Sequence, residues 1–199
     1  MTHPFPRTAR RTGLAGAAAL LLSATAALAV SVPLPPGGGV ATPPTTAATE
    51  PVLDGVVIHD ALVPFKITST TGAVVCEGNL QDRVVKSNKT GLLDFYYVIR
   101  DTKGTGAIGR LATRSFAGQP MRVAYRTDGL GTVPPGKANR SAAPGEIVTF
   151  AFEHPVNCAK SEWSRFILIE TTVKAFQQGG ETELVATAGG ATVVKTVQP

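Results

Sequence analysis

Histidine, cysteine and aromatic side chains are scarce in this 199-residue chain, and each shortage removes a class of chemistry. Only three histidines occur, and His3 lies within an N-terminal export-like segment, which leaves His59 and His154. Two cysteines without a matching histidine cluster do not make a zinc site, so no metal and no other cofactor is expected. No Gly-x-Ser-x-Gly elbow is present, and no cysteine sits beside a base that would activate it. Aromatic residues make up 6% of the chain, little material for an exposed binding platform. No apolar period of 3.6 residues appears after residue 31, so helices are not expected.

What is present begins with an export signature. Arg7, Arg10 and Arg11 precede an uncharged apolar run, Leu14 to Val30. Ala27-Leu28-Ala29 supplies the small-x-small pattern of a signal-peptidase site, with Ala24-Thr25-Ala26 as a second choice. Residues 1–29 therefore read as a signal peptide; the alternative is an uncleaved N-terminal membrane anchor. Arg10-Arg11 raises twin-arginine export, but Gly13 stands where that route favours a bulky apolar residue, so general secretion fits at least as well. No cysteine lies near the cleavage site, which excludes a lipid-anchored lipoprotein. Cleavage removes three of nineteen Lys and Arg and none of fourteen acids, so the net charge falls from +5 to +2 and nucleic acid is not an expected partner. The mature protein is expected outside the cytoplasm, secreted or periplasmic, with no transmembrane segment.

Residues 30–51, rich in Pro, Gly and Thr, read as a linker, and residues 52–199 as one domain. Within it, Leu93, Phe95, Tyr97 and Ile99 alternate with Asp94, Tyr96, Val98 and Arg100, the pattern of a strand with one buried side. Val63/Phe65/Ile67, Met121/Val123/Tyr125 and Val148/Phe150/Phe152 alternate in the same way, and Cys76, Leu80 and Val84 share a parity interrupted by a bulge at Gly78. Ile108 to Ser115 is a weaker strand. Phe166 to Thr171 is almost continuously apolar, as a central strand would be, and Glu183–Thr187 and Thr192–Val197 flank a Gly189-Gly190 turn. Residues 127–145 read as one long turn-rich connection. Eight or nine such segments with Gly/Pro turns predict an all-β, antiparallel two-sheet sandwich, with a closed barrel as the alternative. Cys76 and Cys158, both in the exported part, are expected to form a disulfide rather than two buried thiols.

GNLQDRVV, TGLLDFYYVIRD and SFAGQPMRVAYRTDGLG, within Val56 to Ala175, resemble a group of secreted bacterial proteins often found with PEP-CTERM sorting tails. The resemblance implies a secreted all-β domain of no established activity, and it carries over no site residues. The last residues, Lys195 to Pro199, hold neither a sorting motif nor an apolar tail, so anchoring by that route is not expected.

Chemical constellations are weak. His59-Asp60 suggests an oriented base, but neighbours on a strand point to opposite faces. Asp82, Asp94, Asp101, Glu153 and Glu170 are candidate glycosidase acids by residue type alone, and Asp82 and Asp94 are expected in ion pairs with Arg83 and Arg100. Gly104 to Gly109 matches G-x-G-x-x-G without opening a helix, which rejects a dinucleotide site. Thr127 to Gly131 has too few carboxylates for calcium. Tyr96 and Trp163, flanked by Arg100, Arg122 and Arg126, are the one candidate ligand surface; the alternative places Tyr96 under a loop and Trp163 against the end of the core. The expectation is thus an exported, non-catalytic β-sandwich, an envelope or extracellular structural or interaction module. A carbohydrate-binding module is the alternative, with cell-envelope material or a glycan as partner, and a hydrolase ranks below both.

Overall fold

The computed structural model describes Met1 and residues 30–199; the expected signal peptide, apart from Met1, lies outside the described residues. Among the described residues, thirteen strands form two sheets packed face to face. They are β1 (Val32–Pro33), β2 (Gly39–Ala41), β3 (Pro44–Thr45), β4 (Gly55–Thr68), β5 (Val74–Ser87), β6 (Leu93–Gly104), β7 (Ala107–Thr113), β8 (Met121–Arg126), β9 (Lys137–Arg140), β10 (Val148–Asn157), β11 (Phe166–Thr171), β12 (Gln177–Ala186) and β13 (Ala191–Gln198). The larger sheet runs β1-β8-β11-β6-β5-β4, with β3 beside β8; the smaller runs β13-β12-β7-β10-β9-β2. All pairs are antiparallel except the two-residue β3–β8 contact. This is the two-sheet sandwich, and it does not close into a barrel.

Phe95, Tyr97 and Ile99 of β6, with Ile167 and Ile169 of β11, meet Ile108, Leu111, Phe150 and Leu184 of the smaller sheet between the layers. Cys76 of β5 is bonded to Cys158, which follows β10, so the disulfide joins the two sheets across 82 residues of sequence. Gly78 marks the break in register between β5 and β6, where a Cβ would stand 2.7 Å from the Arg100 carbonyl oxygen. Gly104 to Gly109 spans the β6–β7 connection, where the chain passes from the larger sheet to the smaller, a turn rather than a phosphate loop. The stretch 127–145 is not one loop: Lys137–Arg140 forms β9 inside it.

Two expectations fail together, for one reason. Residues 30–51 are not a linker. β1 and β3 extend the larger sheet along the free side of β8, and β2 extends the smaller sheet beside β9. Leu34 is 1% exposed, because short extended segments rich in Pro and Gly still carry apolar side chains inward and still pair where a neighbour offers an open edge. From β3 the chain crosses the outer face of the larger sheet to reach β4 at the opposite side. That crossing, Thr46 to Asp54, seats Leu53 in a second apolar cluster with Val85, Tyr96, Val98, Ala124, Phe166 and Leu168. Strand β6 is therefore buried on both sides, not one.

Candidate functional site

The outer face of the larger sheet carries the arrangement of most chemical interest. Cross-strand register places Arg83 opposite Tyr96 and Phe166 opposite Arg126. The Arg83 guanidinium lies 5.2 Å from the Phe166 ring centre, and Phe166 meets Tyr96 edge-on at 6.2 Å. Arg126 sits 5.9 Å from the Tyr96 ring centre and donates from Nη1 to the Tyr96 hydroxyl at 3.2 Å. Each arginine is locked by a carboxylate. Arg126 donates from Nε and Nη2 to both oxygens of Asp128 at 2.6 Å, a bidentate fork. Arg83 donates to Asp60 at 2.8 Å. Asp128 also accepts the Ala47 N–H, so the crossing segment helps fix this pair. With Val85 and Gly129 these groups enclose a cleft of about 170 Å³. Gly129 is required by space: a Cβ there would stand 2.5 Å from the Phe166 ring.

A second cleft, of about 360 Å³, lies on the other side of the Asp128–Thr132 loop and is lined by Leu130, Lys160, Ser161, Glu162 and Trp163. The Arg100 guanidinium covers Trp163 at 4.3 Å, and Arg100 is itself held by Asp101 and by Gln81 Oε1, both at 3.1 Å. The loop is tied down by the N–H groups of Thr132 and Val133, which both donate to the Trp163 carbonyl.

The five residues expected to form one ligand surface thus divide among three places. Tyr96 is not exposed: it is 3% accessible, because the crossing segment and Phe166 cover it. Arg126 joins it in the first cleft. Trp163, half-buried, lines the second, and Arg100 is stacked on its ring without lining the cleft itself. Arg122 belongs elsewhere, donating to the Ser31 hydroxyl at 2.8 Å under the crossing.

Arg122 lies opposite Glu170, and Glu170 opposite Asp94, so two of the candidate acids are cross-strand neighbours. Burial pushes the Asp94 carboxyl up to about 8, with Glu170 and Glu50 adding to the effect. Glu170 is raised too, mainly by burial. Glu50 is fixed by the Ser31 N–H and hydroxyl and by the Thr45 hydroxyl. The expected ion pairs of Asp82 and Asp94 with Arg83 and Arg100 do not form, since Asp94 is buried on the outer face under the crossing, away from either arginine.

Asp82 faces inward instead. It accepts the Val197 N–H at 2.8 Å and stands 3.6 Å from His59 Nε2. Burial raises it to about 6, against the lowering effects of Val197 and His59. His59 and Asp60 do point apart, Asp60 toward Arg83 and Gln81. His154 is exposed on β10 of the other sheet. Next to Asp82, the Tyr97 hydroxyl begins a chain of hydrogen bonds through Thr113 and Thr182 to Thr196.

Sequence reasoning missed Arg83, Phe166 and Asp128 as members of the first cleft. The signal for Asp128 lay two residues after Arg126; that for Phe166 lay in cross-strand register, which a single sequence does not display.

Comparison with known proteins gives no further guide: no family model, no curated protein and no solved structure matches the chain.

Proposed function

We propose that this protein is an exported, non-catalytic interaction module of the cell envelope or extracellular space. The observation that carries the reading is the pair of clefts flanking the Asp128–Thr132 loop, whose arginines are held rigid by carboxylates and aromatic rings before any ligand arrives. Preorganised donors on a rigid sheet lower the ordering cost of binding. Export is supported by the N-terminal sequence and by the Cys76–Cys158 disulfide, a bond that persists in oxidising compartments. Among the described residues no helix is long and apolar enough to cross a membrane.

Glycan binding is the reading favoured within this class. Trp163 lines an open cleft beside Glu162 and Lys160, and an indole wall with polar neighbours matches the apolar C–H face and hydroxyl edge of a sugar. The hydrolase reading has weaker support. Asp94 and Glu170 are close neighbours whose carboxyls burial makes weaker acids, yet they lie beneath the crossing segment and line neither cleft.

Co-sedimentation with insoluble cell-wall material and a panel of polysaccharides tests the proposal, with Trp163→Ala as a control. Saturable pelleting, weakened by the substitution, is the expected result. Absence of pelleting with every material refutes the glycan reading.

A further inference from the structure

The two clefts differ in what they leave unsatisfied, and the smaller one is the more specific. Its volume of about 170 Å³ corresponds to roughly five or six water molecules, room for one small ring rather than for a chain. Two of its walls are aromatic, Tyr96 and Phe166. Its polar groups are almost all donors. Arg126 spends three of its five N–H groups on Asp128 and Tyr96 and has two left. Arg83 gives a single hydrogen bond, to Asp60, and its buried Nε finds no acceptor among the described residues. The occupant must therefore bring acceptors.

Charge narrows the choice. Asp60 and Asp128 neutralise Arg83 and Arg126. Arg165, whose guanidinium donates only to the Thr127 and Gly129 carbonyls, adds a positive charge behind Gly129, a lining residue, with no acidic partner among the described residues. Asp94, the next acid along the sheet from Tyr96, is protonated at neutral pH and does not cancel it. One positive charge, surplus planar donors and aromatic walls around a single-ring volume describe a receptor for a ring bearing one carboxylate.

We propose that this cleft binds the carboxylate-bearing sugar unit of an acidic glycan, a uronic acid, with Arg83 as the residue that recognises the acid group. The proposal rests on the interaction-module reading and names its ligand class. The neighbouring Trp163 cleft, on the far side of the same loop, is placed to take a further unit of the same chain.

Affinity electrophoresis of the full chain tests it, in gels containing a soluble polyuronate, the same polymer with its carboxyls reduced to primary alcohols, or polyaspartate. The polyuronate should retard the protein, with affinity about tenfold above that for the reduced polymer, the size of one lost charge-assisted hydrogen bond. Arg83→Gln should lose a similar factor, and Arg83→Lys should recover little of it, because an ammonium does not reproduce the planar fork. Circular dichroism of both variants separates loss of contact from loss of fold; if Arg83→Gln is unfolded, the reduced polymer alone decides. Equal binding of the reduced polymer overturns the acidic-sugar proposal while leaving the module reading intact. Equal retardation by polyaspartate replaces a sugar site with a general anion surface and also overturns it. Retardation by none of the three, while wall material still pellets the protein, sinks the proposal alone; failure of both assays sinks the reading beneath it.

Discussion

Raising the pH from 6 to 8 should destabilise this fold markedly, and Asp94 is the reason. Its carboxyl is 5% exposed and pushed up to about 8, against 3.8 as the ordinary value. A raised acid binds its proton more tightly in the folded than in the unfolded chain, so its contribution favours folding at low pH and is lost as pH rises through the folded value. Over most of the interval from pH 6 to 8 the unfolded chain has already released this proton and the folded chain still holds it, until at pH 8 the folded carboxyl is half ionised. The loss starts at about 1.4 kcal/mol per pH unit, halves in slope at pH 8, and amounts to about 2 kcal/mol over the interval. For a chain of this size that is a fall of roughly 4–8 °C in Tm. Asp82, raised to about 6, acts in the same direction at lower pH, between 3.8 and 6. Asp60 and Asp128 act oppositely: hydrogen bonds from Arg83 and Gln81 outweigh burial at Asp60, and Arg126 holds Asp128 low, so their contributions are lost only on strong acidification. Stability should peak in mildly acid solution. Thermal unfolding followed by far-UV circular dichroism from pH 5 to 9 measures the slope, and no free thiol is available among the described residues to reshuffle the disulfide at the alkaline end. Asp94→Asn, neutral at every pH, should flatten the decline above pH 6. A Tm that holds or rises from pH 6 to 8, or a variant with the wild-type slope, refutes the reasoning.

Two further outcomes follow from the packing. Reducing or replacing the Cys76–Cys158 bond reopens a loop spanning 82 residues and should lower stability by about 4–5 kcal/mol in the chain-entropy treatment, read from denaturant midpoints with and without reductant. Leu53→Ala, on the crossing segment, removes a 3% exposed side chain from the outer cluster and should cost about 2–4 kcal/mol; an effect near zero would mean the crossing is not a structural part of the sheet.

The strands were legible where burial is one-sided or complete. Alternation at Val148/Phe150/Phe152 and the apolar run of β11 mark their places because a pleated strand translates facing directly into period two, and a doubly covered strand into a continuous apolar stretch. The same rule misled at β6. Asp94, Tyr96, Val98 and Arg100 contain polar atoms enough to suggest a wet face, but the covering of that face is supplied by Leu53, forty residues earlier, and no local pattern announces it. Residues 30–51 failed for a related reason. Strands of two or three residues show no period, so Leu34, Val40 and Thr45 look like isolated side chains in a polar run until their partners Met121, Ala138 and Arg126 are known. The clefts were half legible. Tyr96, Arg126, Trp163 and Arg100 were recognisable by type, but their assignment to two clefts depends on the cross-strand partners of Tyr96, Arg126 and Arg100 and on the loop that carries Trp163.

The segment that composition marks as dispensable helps complete the candidate site. Thr45 pairs alongside Arg126 and Ala47 donates its N–H to Asp128, and just beyond that segment Leu53 closes the apolar cluster containing Tyr96 and Phe166. Without these contacts Arg126 would keep its carboxylate partner but lose the backbone anchor that fixes the pair, and the ring of Tyr96 would face water. An arginine that must be ordered on binding gives up part of its interaction energy to that ordering, whereas one already clamped does not. Arg122 shows the same economy at the other end of the crossing, where it holds Ser31, which in turn holds Glu50. The crossing thus links chain entry, the buried acids and the arginine cleft on one face of one sheet.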